Sequence, residues 1–475
     1  MAVQAQLFYG GRWTDGVRVS ELRDKYDGAL VAEVHEAGAE QVAEALDGVA
    51  RGQSECRLTP YERFEILTAT AGLVKERRSE FVRTVVNDTG FTVTDARREV
   101  DRAVQTLILS GEEAKRIHGE MVPWNAAPGA AQDRYAFTLR RPLGVVCAIT
   151  PFNSPLNTLT HKVAPALAAG NGVVVKPASY TPLSAGLLVR TLLEAGLPES
   201  LIAVVHGGGS TVGQWLLESP VPSFYAFTGS TEIGAHIQRT VGLRRTQLEM
   251  GSLSSTVVCD DADLAKAASA CVNAAFRKAG QVCTSVQRLY VHAGAVDEFA
   301  AELTGAVAAT VAGDPRDEKT FVGPVISEAD AVRIASWIDR AVESGASVMA
   351  GGTRRGTVVE PTVLTGVGAD MEVHCREIFG PVVSVRPYTD LDRAIAEIND
   401  TPYGLSAGIF TADLTKALDA VEQLHMGSVH VNETSSNRVD LMPYGGAKQS
   451  GMGVEGPRYA VHEMTEQRLV TLARP

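Results

Sequence analysis

The chain has little of what would mark it for a membrane, a secretory route or a nucleic acid. Among 475 residues there are only 6 cysteines, Cys56, Cys147, Cys259, Cys271, Cys283 and Cys375, with no Cys-x-x-Cys. Free thiols in a reducing compartment are therefore expected. No His-Glu-x-x-His and no Cys/His cluster at zinc-ligand spacing occurs, so no metal is expected. No apolar run approaches the roughly 18 residues of a membrane span. The start, MAVQAQLFYGGRW, lacks a basic region followed by an apolar one, which makes the cytoplasm the expected location. Lys and Arg number 44 against 56 Asp and Glu, a formal charge of −12. The basic footprint that nucleic acid or an anionic membrane requires is missing.

What is present reads as a large globular protein. Hydrophobic residues make up 45% and charged residues 21%, which excludes disorder and a fibrous chain. The length suggests about three domain-sized units. From Pro60 to Lys75, Phe64, Leu67, Ala71 and Val74 recur at helical spacing. A second helix is expected from Thr94 to Ile117, with Val100, Val104, Leu107 and Ile108 on one stripe. Pro123, Trp124, Pro128 and Gly129 then precede alternation from Tyr135 to Leu139, which reads as a short hairpin excursion.

Between 143 and 250 the apolar runs LGVVCAIT, VVVK, LIAVV and SFYAF alternate with helical segments, one beginning near Thr231. Strands that are apolar throughout and separated by helices imply a parallel sheet covered on both faces, a doubly wound α/β arrangement. A second alternating series follows Gly251, with STVVCD, a helix over 262–278, and QRLYVH; the tail ends in strand-like RLVTLA.

The loops at the carboxyl ends of such strands are where open α/β sheets bind ligands. FTGSTEIG places Gly229 and Gly234 around a helix start, where bare amides and the helix dipole suit a pyrophosphate, although it is not the G-x-G-x-x-G fingerprint. HGGGSTVG, with Gly207, Gly209 and Gly213, has the same ambiguity. Lys176 leaves a buried-type strand before Pro177; it could hold a ribose or phosphate, or snorkel to water. Cys283, in AGQVCTS, is an accessible nucleophile or a small core hydrophobe. Asn153, between two prolines in TPFNSP, is a rigid amide donor or a loop cap. Glu249 is a poised base or a solvated strand end.

Taken together and in order, TPFNSP, VKPAS, FTGSTEIG, LEMGS, GQVCTS, REIFGPV and MPYGGAKQSG resemble the aldehyde dehydrogenase superfamily, from about residue 8 to the end. The resemblance implies a Rossmann-like cofactor domain (1–120 and 143–250), an α/β catalytic domain (251–447), and a small β bridging element (121–142 and 448–475) that pairs subunits into a homodimer or homotetramer. It makes Cys283 the nucleophile that forms a thiohemiacetal and then a thioester. Asn153 becomes the oxyanion donor and Glu249 the base for thioester hydrolysis. Lys176 would hold the adenosine ribose, with Gly229 and Ser230 against the pyrophosphate and Glu377, beside Phe379, on the nicotinamide ribose. Thr150, Pro151, Phe152, Gly209, Gly213, Phe227, Met250 and Gly251 complete the cofactor set. Relatives that acylate coenzyme A usually lack a glutamate at the position of Glu249, so hydrolysis is favoured. A non-catalytic dinucleotide-binding scaffold is disfavoured because Cys283, Asn153 and Glu249 are all present.

In many NAD-preferring members a glutamate lies three residues after the lysine. Here Ser179 stands there, which removes the charge that repels a 2′-phosphate, so NADP or NAD is expected with a slight lean to NADP. The segments EVDRAVQT, SVQRLYVH, VNETSSNRVDLMPYGG and GPRYAVHEMTE look most like the branch of lactaldehyde, phosphonoacetaldehyde and non-phosphorylating glyceraldehyde-3-phosphate dehydrogenases. A small anionic aldehyde is expected, with Arg102 and Arg438 as its cations, and Ser154, Val282 and Thr284 beside it. Some members of the phosphonoacetaldehyde group carry Arg just before the nucleophile and His just after the Asn. Val282 and Ser154 occupy those places, which leaves a neutral substrate such as lactaldehyde as the alternative. LEMGSLS also puts Ser252 where the family has its second glycine, and Leu253 at a commonly polar position.

Overall fold

A computed structural model describes residues 3–130 and 133–473. Two large sheets dominate it. In the first, the strand Val145–Ile149 lies at the centre, every residue buried or nearly so. On one side it pairs in parallel with Gly172–Lys176, which pairs with Ile202–Val204; on the other it pairs with Pro222–Thr228, which pairs with Arg245–Glu249. The chain thus winds outward one way and then the other, and the carboxyl ends of Val145–Ile149 and Pro222–Thr228 flank the switch point. Asn153 and Gly229 follow those two strands. The antiparallel strands Leu7–Tyr9 and Gly451–Met452 extend the sheet towards its edges, so part of the stretch assigned to the bridge belongs to this sheet.

The second sheet has seven strands, with Ser255–Val258 between Arg288–His292 and Ser406–Phe410, all parallel. Only five residues separate the last residue of Arg245–Glu249 from the first of Ser255–Val258, so the carboxyl end of one sheet feeds directly into the amino end of the other. A third sheet joins Met121–Val122, Arg134–Pro142 and Thr465–Ala473, the last two paired over nine residues.

The helix Pro60–Glu76 starts with Thr59 and Glu62 exchanging capping hydrogen bonds and with proline at its first position. Leu67, Ala71 and Val74 on this helix pack with Val100, Val104 and Leu107 of Val93–Ala114. Ile108, expected on that stripe, is 37% exposed, because its neighbour Leu107 takes the inward direction. The expected helix over 262–278 ends earlier, at Phe276. Lys278 and Ala279 both adopt φ of 52°, and Gly280 follows at 71°. At Gly280 the left-handed turn leaves no alternative to glycine: a Cβ there would meet the Gly380 carbonyl oxygen at 2.1 Å.

Candidate active site

That left-handed turn delivers Cys283 to the junction of the two sheets. Lys278 fixes the turn by donating its backbone N–H to Asp95 (3.0 Å) and its ammonium to Glu99 (2.6 Å) and the Asn153 carbonyl (2.9 Å). The Asn153 side-chain amide donates to the Gln281 carbonyl at 2.9 Å, so Asn153 is tied at both ends to the loop that carries Cys283. Glu99 also accepts from the backbone N–H groups of Leu156 and Asn157, at the start of the helix Asn157–Ala168.

Cys283 lines two cavities. The larger, about 60 Å³, is bounded by Arg102, Asn153, Ser154, Glu249, Arg277, Val282, Thr284, Arg438 and Tyr444 among others. By volume it holds roughly two waters. The smaller, about 10 Å³, has Ser252, Glu377 and Phe379 in its wall. Burial pushes the Cys283 thiol up to about 11, while the Tyr444 hydroxyl at 2.7 Å and the charge of Arg438 pull it back. Glu249 is 2% exposed and neither carboxylate oxygen has a hydrogen-bond partner. Burial, then the nearby Glu455, raise its pKa well above the ordinary carboxylate range, against Lys162 and Arg438.

The two arginines expected from the sequence do line the larger cavity, but each is already paired. Arg102 reaches Asp440 at 2.8 and 3.1 Å, and Arg438 reaches Glu455 at 2.5 Å while its guanidinium lies 3.7 Å from the centre of the Tyr444 ring. Sequence reasoning missed a third. Arg277 is half-buried in the wall, and its one side-chain hydrogen bond among the described residues goes to Ser436 Oγ at 2.7 Å. Among the described residues no carboxylate lies within ion-pair distance of it; Asp95 opposes its charge only from farther off. An arginine six residues before Cys283 with no acidic neighbour in sequence was the available signal.

On the opposite side of Cys283, Glu377 accepts from the Ser252 N–H at 3.0 Å and is pushed up to about 7 by burial. Gly251 lets it approach, since a Cβ there would meet its carboxylate at 2.8 Å. Ser252 takes a structural part here: its hydroxyl is 2.8 Å from that of Ser254, which donates to the Cys283 carbonyl. The Phe152 and Phe379 rings meet edge to face at 5.7 Å.

Farther along the same sheet edge, Lys176 is 4% exposed, and its ammonium has a single hydrogen bond, to the Pro177 carbonyl at 3.4 Å. Burial lowers its pKa to about 8. Ser179 donates to the Gly207 carbonyl at 3.3 Å, and Gly213 packs beside the Lys176 stem, while a Cβ on Gly209 would meet nothing within 4 Å. Phe227 and Gly229 lead to Ser230, which caps the helix Thr231–Val241. Thr150 and Met250 hydrogen-bond through their backbone N–H groups to Lys176 and Ser450, and Pro151 is buried. A buried ammonium with no carboxylate at ion-pair distance among the described residues, glycine-rich turns and a capped helix start fit a dinucleotide.

Comparison with known proteins agrees. Residues 13–470 match the aldehyde dehydrogenase family. The chain is 45% identical over 469 residues to the 3-sulfolactaldehyde dehydrogenase of Priestia aryabhattai, covering 99% of this chain and 98% of that protein. It is 36% identical to the sulfoacetaldehyde dehydrogenase of Neptuniibacter caesariensis, over 88% and 91% of the two chains. Among solved structures, the NADP-dependent glyceraldehyde-3-phosphate dehydrogenase from Bacillus halodurans, complexed with NADP, superposes with a TM-score of 0.96 at 34% identity, over 100% and 99% of the chains. The chain therefore belongs to the aldehyde dehydrogenase family and is an NAD(P)-dependent enzyme.

Proposed function

We propose that the enzyme oxidises a small aldehyde bearing a sulfonate or a similar oxyanion to its carboxylate. The observation that carries this reading is Arg277, a half-buried guanidinium that lines the Cys283 cavity with no carboxylate at ion-pair distance among the described residues. A guanidinium can bind such an oxyanion through two parallel hydrogen bonds, and burial strengthens the attraction. Arg102, with its side chain one-third exposed, adds charge from the same cavity. The likeness to dehydrogenases named for two sulfonated aldehydes supports the same class.

In this reading Cys283 attacks the aldehyde carbon, and the second N–H of the Asn153 amide, with the Cys283 backbone N–H, meets the developing oxyanion. Lys176, Ser179, Gly229, Ser230 and Glu377 hold the dinucleotide, whose nicotinamide supplies the hydride acceptor when bound. Glu249, once deprotonated, takes a proton from the water that hydrolyses the thioester. Thr284, hydrogen-bonded to Ser436 at 3.1 Å, holds the serine that positions Arg277. Both NAD and NADP are accommodated, since Ser179 offers a hydroxyl rather than a carboxylate. One face of the third sheet leaves Met121, Leu139 and Leu472 exposed, and we assign this apolar band to pairing with a second copy, to be read as a dimer or tetramer by light scattering.

A rate survey tests the proposal. Reduced nicotinamide formation is followed for 3-sulfolactaldehyde, sulfoacetaldehyde, phosphonoacetaldehyde, glyceraldehyde 3-phosphate, succinate semialdehyde, lactaldehyde and propanal, with Cys283→Ala as the blank. The anionic aldehydes should lead in kcat/KM. Fastest turnover of lactaldehyde or propanal would overturn the anionic reading and favour the neutral one.

A further inference from the structure

The resting nucleophile does not stand alone in its cavity. Its sulfur lies 2.7 Å from the hydroxyl of Tyr444, a residue 161 positions away in the chain. Tyr444 is 6% exposed, and its ring is clamped. The Arg438 guanidinium covers one face at 3.7 Å, and that guanidinium is itself fixed by Glu455, which also meets the buried Lys162 ammonium at 3.3 Å. The Tyr444 backbone bonds in both directions to Glu455, its N–H donating to the Glu455 carbonyl (2.9 Å) and its carbonyl accepting the Glu455 N–H (2.7 Å). One residue, Glu455, thus holds both the backbone of Tyr444 and the cation above its ring.

A donor fixed this firmly beside a sulfur has a chemical consequence. From the geometry we infer that Tyr444 is a further residue of the catalytic apparatus: its hydroxyl donates to the Cys283 sulfur as the thiolate forms, and Arg438 and Glu455 act as positioning residues for that donor. The inference rests on Cys283 being the nucleophile.

The proton balance is simple. Tyr444 keeps its own proton throughout, because burial and the neighbouring sulfur raise its pKa well above the usual phenol value. It therefore donates a hydrogen bond and does not act as a base. The thiol proton leaves to solvent. The charged and titratable groups that bear on the sulfur come from several elements. Tyr444 and Arg438 favour the thiolate, Glu377 and Glu249 oppose it to the extent that they ionise, and Arg277 interacts with it from the loop below. Of these only Tyr444 makes a hydrogen bond to it. Thiol ionisation should accordingly be sensitive to one hydroxyl group.

This view also assigns Arg438 a place different from that of an anion ligand. Its charge is balanced by Glu455 and its face is spent on the tyrosine ring. Arg277 remains as the cation free to meet a substrate anion.

The test compares wild type with Tyr444→Phe as full-length protein. The pH dependence of iodoacetamide alkylation is followed at the Cys283 peptide by mass spectrometry, because Cys56 and Cys375 are also accessible to the reagent. Phenylalanine keeps the ring beneath Arg438 and removes only the donor. The Cys283 profile should shift up by about one pH unit, a tenfold loss of thiolate at a given pH. Cofactor affinity should stay unchanged, and kcat should fall by a similar factor for charged and neutral aldehydes alike. An unshifted alkylation profile in a folded Tyr444→Phe protein would overturn the inference. If that variant does not fold, a fluorinated tyrosine at 444, a more acidic donor, should shift the profile down, and no shift would again overturn it. Cys283→Ala separates the two claims. Retained dehydrogenase activity in that variant removes Cys283 as nucleophile, whereas the alkylation profiles still report whether Tyr444 controls the thiol.

Discussion

The Lys278 ammonium and the Glu99 carboxylate meet at 2.6 Å, both side chains almost fully buried, and join the helix Val93–Ala114 to the loop that presents Cys283. Removing one partner of a buried pair leaves the other charge unsatisfied, at a cost of about 3–5 kcal/mol. Lys278→Met should therefore lower the unfolding temperature and, because Lys278 also holds the Asn153 carbonyl, reduce kcat more than it changes KM. Calorimetry and steady-state kinetics on the one variant check both effects.

In the proposed mechanism, Asn153→Ala removes the amide donor that meets the oxyanion. A loss of about 10²–10³ in kcat is expected, equivalent to ~2.7–4 kcal/mol of barrier. The affinity for NADP, measured by fluorescence titration, should not change.

Glu249 must lose a proton before it can serve as a base. Burial and Glu455 raise its pKa, so its base form grows in only as pH rises beyond the usual carboxylate range. The hydrolytic step should accelerate with pH across that raised value. Glu249→Gln should keep a burst of about one equivalent of reduced nicotinamide and slow the subsequent turnover by ~10²–10⁴, with the rising limb lost. Stopped-flow traces across pH separate the burst from the steady state.

Ser179→Glu places a carboxylate beside the Gly207 carbonyl and near Lys176. It would repel a 2′-phosphate and accept from ribose hydroxyls. The ratio of kcat/KM for NADP over NAD should fall by about tenfold or more, ~1.4 kcal/mol.

The strands and the order of motifs were legible in the sequence because their signals are local. Val145–Ile149 is apolar throughout and Gly172–Lys176 is apolar up to its final lysine, and Ser230 starts its helix where the glycines mark the turn. What escaped depends on contacts distant in the chain. The helix ends at Phe276 rather than at 278 because Lys278 bonds to Asp95 and Glu99, about 180 residues away, in a backbone conformation that lysine rarely adopts. Arg102 and Arg438 could be selected by residue type, but not the carboxylates that neutralise them, since Asp440 and Glu455 reach them only in the folded chain. Tyr444 was quoted within a motif, with nothing to show that its hydroxyl meets Cys283.

The most direct measurement is kcat/KM for 3-sulfolactaldehyde and for lactaldehyde, on wild type and on Arg277→Met. If Arg277 recognises the anion, the variant loses at least about tenfold on the sulfonated aldehyde and little on the neutral one, so the ratio of the two constants collapses. An equal loss on both substrates, or none on either, would contradict the account.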